Sequence, residues 1–170
     1  MKKRILSVLI TVVMLIGMLP TAVFAEGTSY GFRINDVLVT DTNKDDIVTA
    51  INREANASVA TGSATYDPDT KTLTLNNFSC SSNAFGGVIH VNSGDITIKL
   101  KGNNALTGTG DTAGISSNGN LVICNGEDGV DQGQLTINTE GNACVNGSVT
   151  LEITDVEVTA NSTACSLRVV

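Results

Sequence analysis

From Thr72 onward, apolar and polar residues alternate with a period of two. Leu73 and Leu75 share one face, as do Ile96, Ile98 and Leu100, then Leu121 and Ile123, then Val149, Leu151 and Ile153. A second set of short alternations follows the last three of these, around Leu106, at Leu135 and Ile137, and at Val156 and Val158. A third set precedes them, at Ile89 and Val91, Ile115 and Ser117, Ala143 and Val145, and Ala164 and Ser166. Such alternation predicts half-buried strands. The phrase also repeats as a whole, as VIHVNSGDITI, GISSNGNLVI, ACVNGSVTLEI and ACSLRVV. Self-similarity at this spacing predicts a solenoid. Three strands per coil, turning through Asn/Gly/Ser corners, describe an all-β parallel β-helix over residues 64–170. The rival, a β-sandwich, has short strands and frequent turns but need not repeat a strand-turn-strand phrase.

With the corner Asn as marker, Asn92, Asn118 and Asn146 are 26 and then 28 residues apart, and Leu167 gives a final step of 21. This alignment predicts an inward column Ile89/Ile115/Ala143/Ala164 and beside it an outward column His90/Ser116/Cys144/Cys165. Stacked coils lie about 4.8 Å apart, pairing their backbones and lining up their aliphatics.

A solenoid needs capped ends, and residues 26–63 predict a cap at one of them. Gly31–Thr40 reads as strand, Asn35-Asp36 turn, strand. Asp41–Asn52 predicts a short helix with Asp41 or Thr42 as N-cap and Ile47, Val48 and Ile51 on one side. Arg53–Ser63 reads as a connection, and Asp67-Pro68-Asp69-Thr70 as a turn between two strands. The apolar run SLRVV begins another coil, so further C-terminal coils or a partner are expected to cover that end.

Composition adds the compartment. Lys2, Lys3 and Arg4 precede an apolar stretch from Ile5 to Leu19, Pro20 breaks it, and Val23 and Ala25 suit a cleavage site. Residues 1–25 therefore predict a signal peptide, with the mature chain secreted or at the cell surface. No second apolar segment predicts a membrane span. The mature chain keeps all 17 acidic residues against 7 basic ones, a net charge of about −10. That balance is the reverse of a nucleic-acid footprint. It suits solubility or capture of Ca²⁺.

Several segments resemble a family of secreted clostridial and gut Firmicutes proteins, the carbohydrate-binding β-helix domains. They are FRINDVLVT with the acidic stretch after it, YDPDTKTLTLNN (66–77), GDITIKLKGNNALTG (94–108) and GISSNGNLVI (114–123). The resemblance implies a right-handed parallel β-helix displayed outside the cell. It also implies affinity for plant-type, acidic polysaccharide, helped by calcium. The Ala-Cys segments at 143–144 and 164–165 depart from that pattern.

Candidate chemistry is sparse. Glu127, Asp128 and Asp131 cluster in the longest loop, where three carboxylates and backbone carbonyls suit a hard cation; the plainer reading is a solvated turn. Lys99 and Lys101 face outward on one strand and suit uronate carboxylates, or are ordinary edge lysines. In the predicted alignment the Lys99 column continues through Cys124 and Glu152. His90 faces outward as a sugar-binding candidate. Cys144 and Cys165 fall at equivalent places in consecutive coils, close enough for a disulfide, or stand as stacked thiols. The aromatics Tyr30, Phe32, Tyr66, Phe78 and Phe85 are expected to pack in the cap or first coil.

The sequence presents no catalytic constellation. A glycoside hydrolase needs convergent carboxylates. Asp155 and Glu157 share a face, but their predicted neighbours Gln134 and Thr136 are not acidic. The expectation is a non-catalytic, carbohydrate-binding module. A structural stalk or adhesin segment, or a fragment of a pectate-lyase-like enzyme, is the alternative.

Overall fold

A computed structural model describes residues 27–55, 57, 59–126, 132–147, 150–164 and 167–169, the last three by their backbone. It is a parallel β-solenoid of about three turns with one short helix. The predicted signal peptide lies outside the described residues. Among these residues no helix is long and apolar enough to cross a membrane.

The cap comes first. Strands β1 (Ser29–Ile34) and β2 (Val37–Thr40) form an antiparallel hairpin. Asn35 and Asp36 turn it with φ of 49° and 62°, the left-handed pair that suits a right-handed strand twist. Helix α1 runs from Ile47 to Ala55 and buries Ile47, Ala50 and Ile51. It starts later than predicted because Asp46 is the N-cap: its carboxylate accepts the Thr49 N–H at 3.1 Å, while residues 41–45 are turns. Strand β3 (Ala60–Asp67) claims part of the expected connection and runs antiparallel to β4 (Thr72–Ser82). Between them the Asp67 carboxylate accepts the Asp69 N–H at 3.0 Å and the Thr70 hydroxyl at 2.8 Å.

Two asparagines seal the outer strand edges of this cap. Asn43 donates to the Leu38 carbonyl and accepts from the Thr40 N–H, both at 2.9 Å. Its amide thus replaces the peptide group of a parallel strand beside β2. Asn52 donates to the Ala60 carbonyl at 2.8 Å and accepts from the Val59 and Ala60 N–H groups at 2.9 Å. It replaces an antiparallel neighbour of β3. The Lys44 carbonyl takes the Tyr66 N–H at 2.7 Å.

The coils then follow: β5 (Gly87–Val91), β6 (Ile96–Lys101), β7 (Asn103–Gly108); β8 (Ala113–Ser117), β9 (Leu121–Asn125), β10 (Gln134–Thr139); β11 (Val145–Gly147), β12 (Leu151–Thr154), β13 (Glu157–Ser162); and β14 (Leu167–Val169). Like strands stack in parallel, giving the faces β5–β8–β11–β14, β6–β9–β12 and β7–β10–β13. The single strand β4 underlies two of them, pairing with β6 through its first half and β7 through its second. β1 closes the remaining face by pairing antiparallel with β5.

The period-two pattern fills the interior as predicted. Leu73, Ile98 and Ile123 stack in one fully buried column that ends at Ile153, which is 44% exposed in the last described coil. Cys80, Leu106 and Ile137 form another. Each fully buried aliphatic contributes roughly 1.5–3 kcal/mol.

The first two coils align as predicted, Ile89 with Ile115, but the register then departs by two residues at the third coil and by three at β14. Ile115 pairs with Val145, which pairs with Leu167; Ala143 and Ala164 are not in that column. Between the second and third coils the even slip keeps the strand alternation, so the in/out pattern alone does not detect it. At β14 the step is odd and the predicted alternation is not kept in register, and Cys144, predicted outward just before β11, is fully buried. The extra length is held between β9 and β10, while the turn at Gly141 stacks directly on Gly110. The same shift takes Asn146 out of the Asn92/Asn118 corner, where the Asn118 amide donates to the Asn92 carbonyl at 3.1 Å.

Candidate functional site

The solenoid presents three outward faces. On β7–β10–β13 the outward columns are Asn103/Gln134/Glu157, Ser79/Ala105/Thr136/Thr159 and Ser81/Thr107/Asn138/Asn161. Side chains hydrogen-bond along these columns. Gln134 donates to Glu157 at 3.1 Å, and Asn161 to Asn138 at 3.0 Å. A shallow groove of about 510 Å³ lies on this face, lined by Asn138, Thr139, Ala160, Asn161, Ser162 and Thr163. Glu157 therefore neighbours Gln134, not Thr136.

Lys99 and Lys101 both belong to the β6–β9–β12 face. Lys99 is exposed and stacks on Thr74 and Cys124, and Cys124 on Thr154. Glu152 belongs to the neighbouring column, paired with Val122, which corrects the predicted one. Burial raises the Cys124 thiol pKa; Lys99 opposes that rise and Glu152 adds to it. Lys101 passes over Gly126, where a Cβ would meet its Cγ at 2.6 Å.

His90 is on the remaining face, so the structure does not bring the predicted sugar candidates together. It sits opposite Arg33 of β1 and beside Ser116. The column continues through Asn146 and Arg168, not through Cys144 and Cys165. Cys144 is a free, fully buried thiol. It lies at the inner corner, where its Sγ reaches the Asn161 carbonyl at 3.2 Å and the Ile137 carbonyl at 3.5 Å. Gly114 lies under it: a Cβ there would strike Ile137 and the Cys144 carbonyl. Cys165 lies outside the described residues, as do Glu127, Asp128 and Asp131. Among the described residues no group of three or more His, Cys, Asp or Glu side chains is placed to hold a metal ion.

Two features went unrecognised in the sequence. Phe85 does not pack in the first coil: it is 92% exposed. Its position between β4 and β5, next to Gly86, is the signal available in the sequence, since a corner glycine marks a loop. Gly86 has φ of 96°, and a Cβ there would strike the His90 ring. The second is an open groove of about 1120 Å³ in the cap. It is lined by Arg33, Asn35 and Asp36 on the hairpin side and by Arg53 and Glu54 at the end of α1, among others. The Arg33 guanidinium donates to the Asp36 carbonyl at 3.1 Å.

No family model, no curated protein and no solved structure matches this chain.

Proposed function

We propose that this chain is a secreted, non-catalytic module that binds plant-type polysaccharide along its polar outer faces. The observation that carries the reading is the β7–β10–β13 face. Apart from the half-buried Ala105, its outward side chains are amides, hydroxyls and one carboxylate, repeated at the spacing of stacked strands, about 4.8 Å. Sugar hydroxyls are both donors and acceptors, and a rank of Asn, Gln and Thr offers both. Lys99 and Lys101 on the adjoining face add cations for an acidic chain. Calcium enters the reading as a helper, with Glu127, Asp128 and Asp131 as its candidate ligands.

The test is retention of the mature chain on cellulose and on pectin, with and without a chelator. Binding to either supports the module, and loss of pectin binding in chelator supports calcium. A chain retained on no glycan would instead favour a structural stalk. An ultraviolet-absorbing unsaturated uronate would show a lyase.

A further inference from the structure

On the β5–β8–β11–β14 face, register alone sets Arg33, His90, Ser116, Asn146 and Arg168 in one column. Every member carries a hydrogen-bond donor, and none is a carboxylate. Partners directly opposite one another on adjacent strands have Cβ atoms about 5 Å apart. The described side chains of this column are half-buried, held by their neighbours yet open to solvent. At its cap end, Arg33 also lines the cap groove.

Phe85 directly precedes Gly86 in the bend before β5. Its neighbour Gly86 abuts the His90 ring, so the two aromatic residues belong to one corner. Apart from Ile153 in the last described coil, Phe85 is the one large apolar side chain left exposed among the described residues. The apolar interior does not claim it. An exposed ring beside a rank of donors matches a pyranose, whose C–H face is apolar and whose rim carries oxygen acceptors.

We propose that Phe85, with His90, Arg33 and Ser116, forms a second sugar subsite, in which one pyranose of an oligosaccharide stacks on the Phe85 ring. Its oxygens, hydroxyl or carboxylate, accept hydrogen bonds from the column. The inference rests on the carbohydrate-binding reading but concerns a different face from the Asn/Thr rank.

The experiment titrates the mature chain with cellohexaose and with a galacturonate hexamer. Four proteins are compared: wild type, Phe85→Ala, Phe85→Tyr, and the double variant Asn138→Ala/Asn161→Ala. Phe85→Ala is expected to weaken binding of at least one probe about tenfold, an effect of ~1.4 kcal/mol, with its urea midpoint unchanged. Phe85→Tyr is expected to restore it, and the His90 ring resonances to shift on binding. If Phe85→Ala binds both probes as the wild type does while the double variant loses affinity, this subsite is wrong and the carbohydrate reading stands. If the wild type binds neither probe, and no cellulose or pectin, both fall. The two probes distinguish hydroxyl from carboxylate as the acceptor.

Discussion

Asn104 is a buried polar residue in an apolar column, and replacing it tests why. Its side chain is 3% exposed. Its neighbours in register are Leu135 below it and, one further coil on, Val158. The Asn104 side-chain Oδ1 accepts the Phe78 N–H at 2.9 Å. Its amide donates toward the carbonyls of Lys101, Gly102 and Gln134, each at 3.2 Å. One side chain thus satisfies the tight corner between β6 and β7 and ties β4 to the first two coils. In Asn104→Ala the Phe78 N–H is left buried without an acceptor, at a cost of roughly 1–3 kcal/mol. The three carbonyls belong to exposed or half-buried residues and regain water, adding about 1 kcal/mol in lost bonds. The sum is about 2–4 kcal/mol, a large share of the ~5–15 kcal/mol that holds a typical domain together.

Urea unfolding followed by circular dichroism measures it. With a slope of about 2 kcal/mol/M, the midpoint falls by roughly 1–2 M. Asn104→Leu decides between explanations. If apolar packing ruled the column, Leu would match its neighbour Leu135 and stabilise the coil. If backbone satisfaction rules, Leu is destabilising to a similar degree as Ala. An Asn104→Leu midpoint at or above the wild-type value would refute the reasoning.

Three further outcomes follow from the structure. Asn43→Ala uncovers the Leu38 carbonyl and the Thr40 N–H on the β2 edge; we expect a loss of about 1–2 kcal/mol and concentration-dependent self-association by light scattering, and a variant that stays monomeric at high concentration would reject the edge-sealing role. Hydrogen bonds from Thr49 hold the Asp46 carboxyl below its ordinary value of 3.8, so its contribution to α1 is present above that value and is lost as pH falls below it; Asp46→Asn should flatten this part of the acid titration, and an unchanged profile would remove Asp46 from the account. Burial pushes the Cys80 thiol up to about 12, so in native protein at pH 8 a disulfide reagent should label Cys124 ahead of Cys80, and equal labelling rates would contradict the buried placement.

The faces of the strands were legible because period two is local. Ile96, Ile98 and Leu100 announce their side whatever lies beyond the next corner. Register was not, because it depends on how many residues each corner consumes. The Ala143–Ile115 alignment has the same parity as the observed Val145–Ile115 pairing, so hydrophobicity does not distinguish them. The His90 column shows the same ambiguity: Asn146 takes the place predicted for Cys144, two positions away, and Arg168 that predicted for Cys165, three away. The buried Asn104 and the exposed Phe85 were hidden differently, since each runs against its residue type. Asn104 is explained by corner carbonyls that only the fold brings together. Phe85 has no packing explanation: its ring is left to solvent, where a ligand can reach it.

The strand β4 has a consequence for how the chain acquires its shape. It is formed by a local hairpin with β3, and it then offers an edge to both β6 and β7. Each later coil finds a finished template one coil back and closes only a short loop, whatever the total length. Nearest-neighbour stacking lets folding propagate from coil to coil, and the local β3–β4 hairpin makes the cap end the expected place for it to start. The folding rate should depend on the hairpin and scarcely on the number of coils, so coils removed from the far end should leave it nearly unchanged.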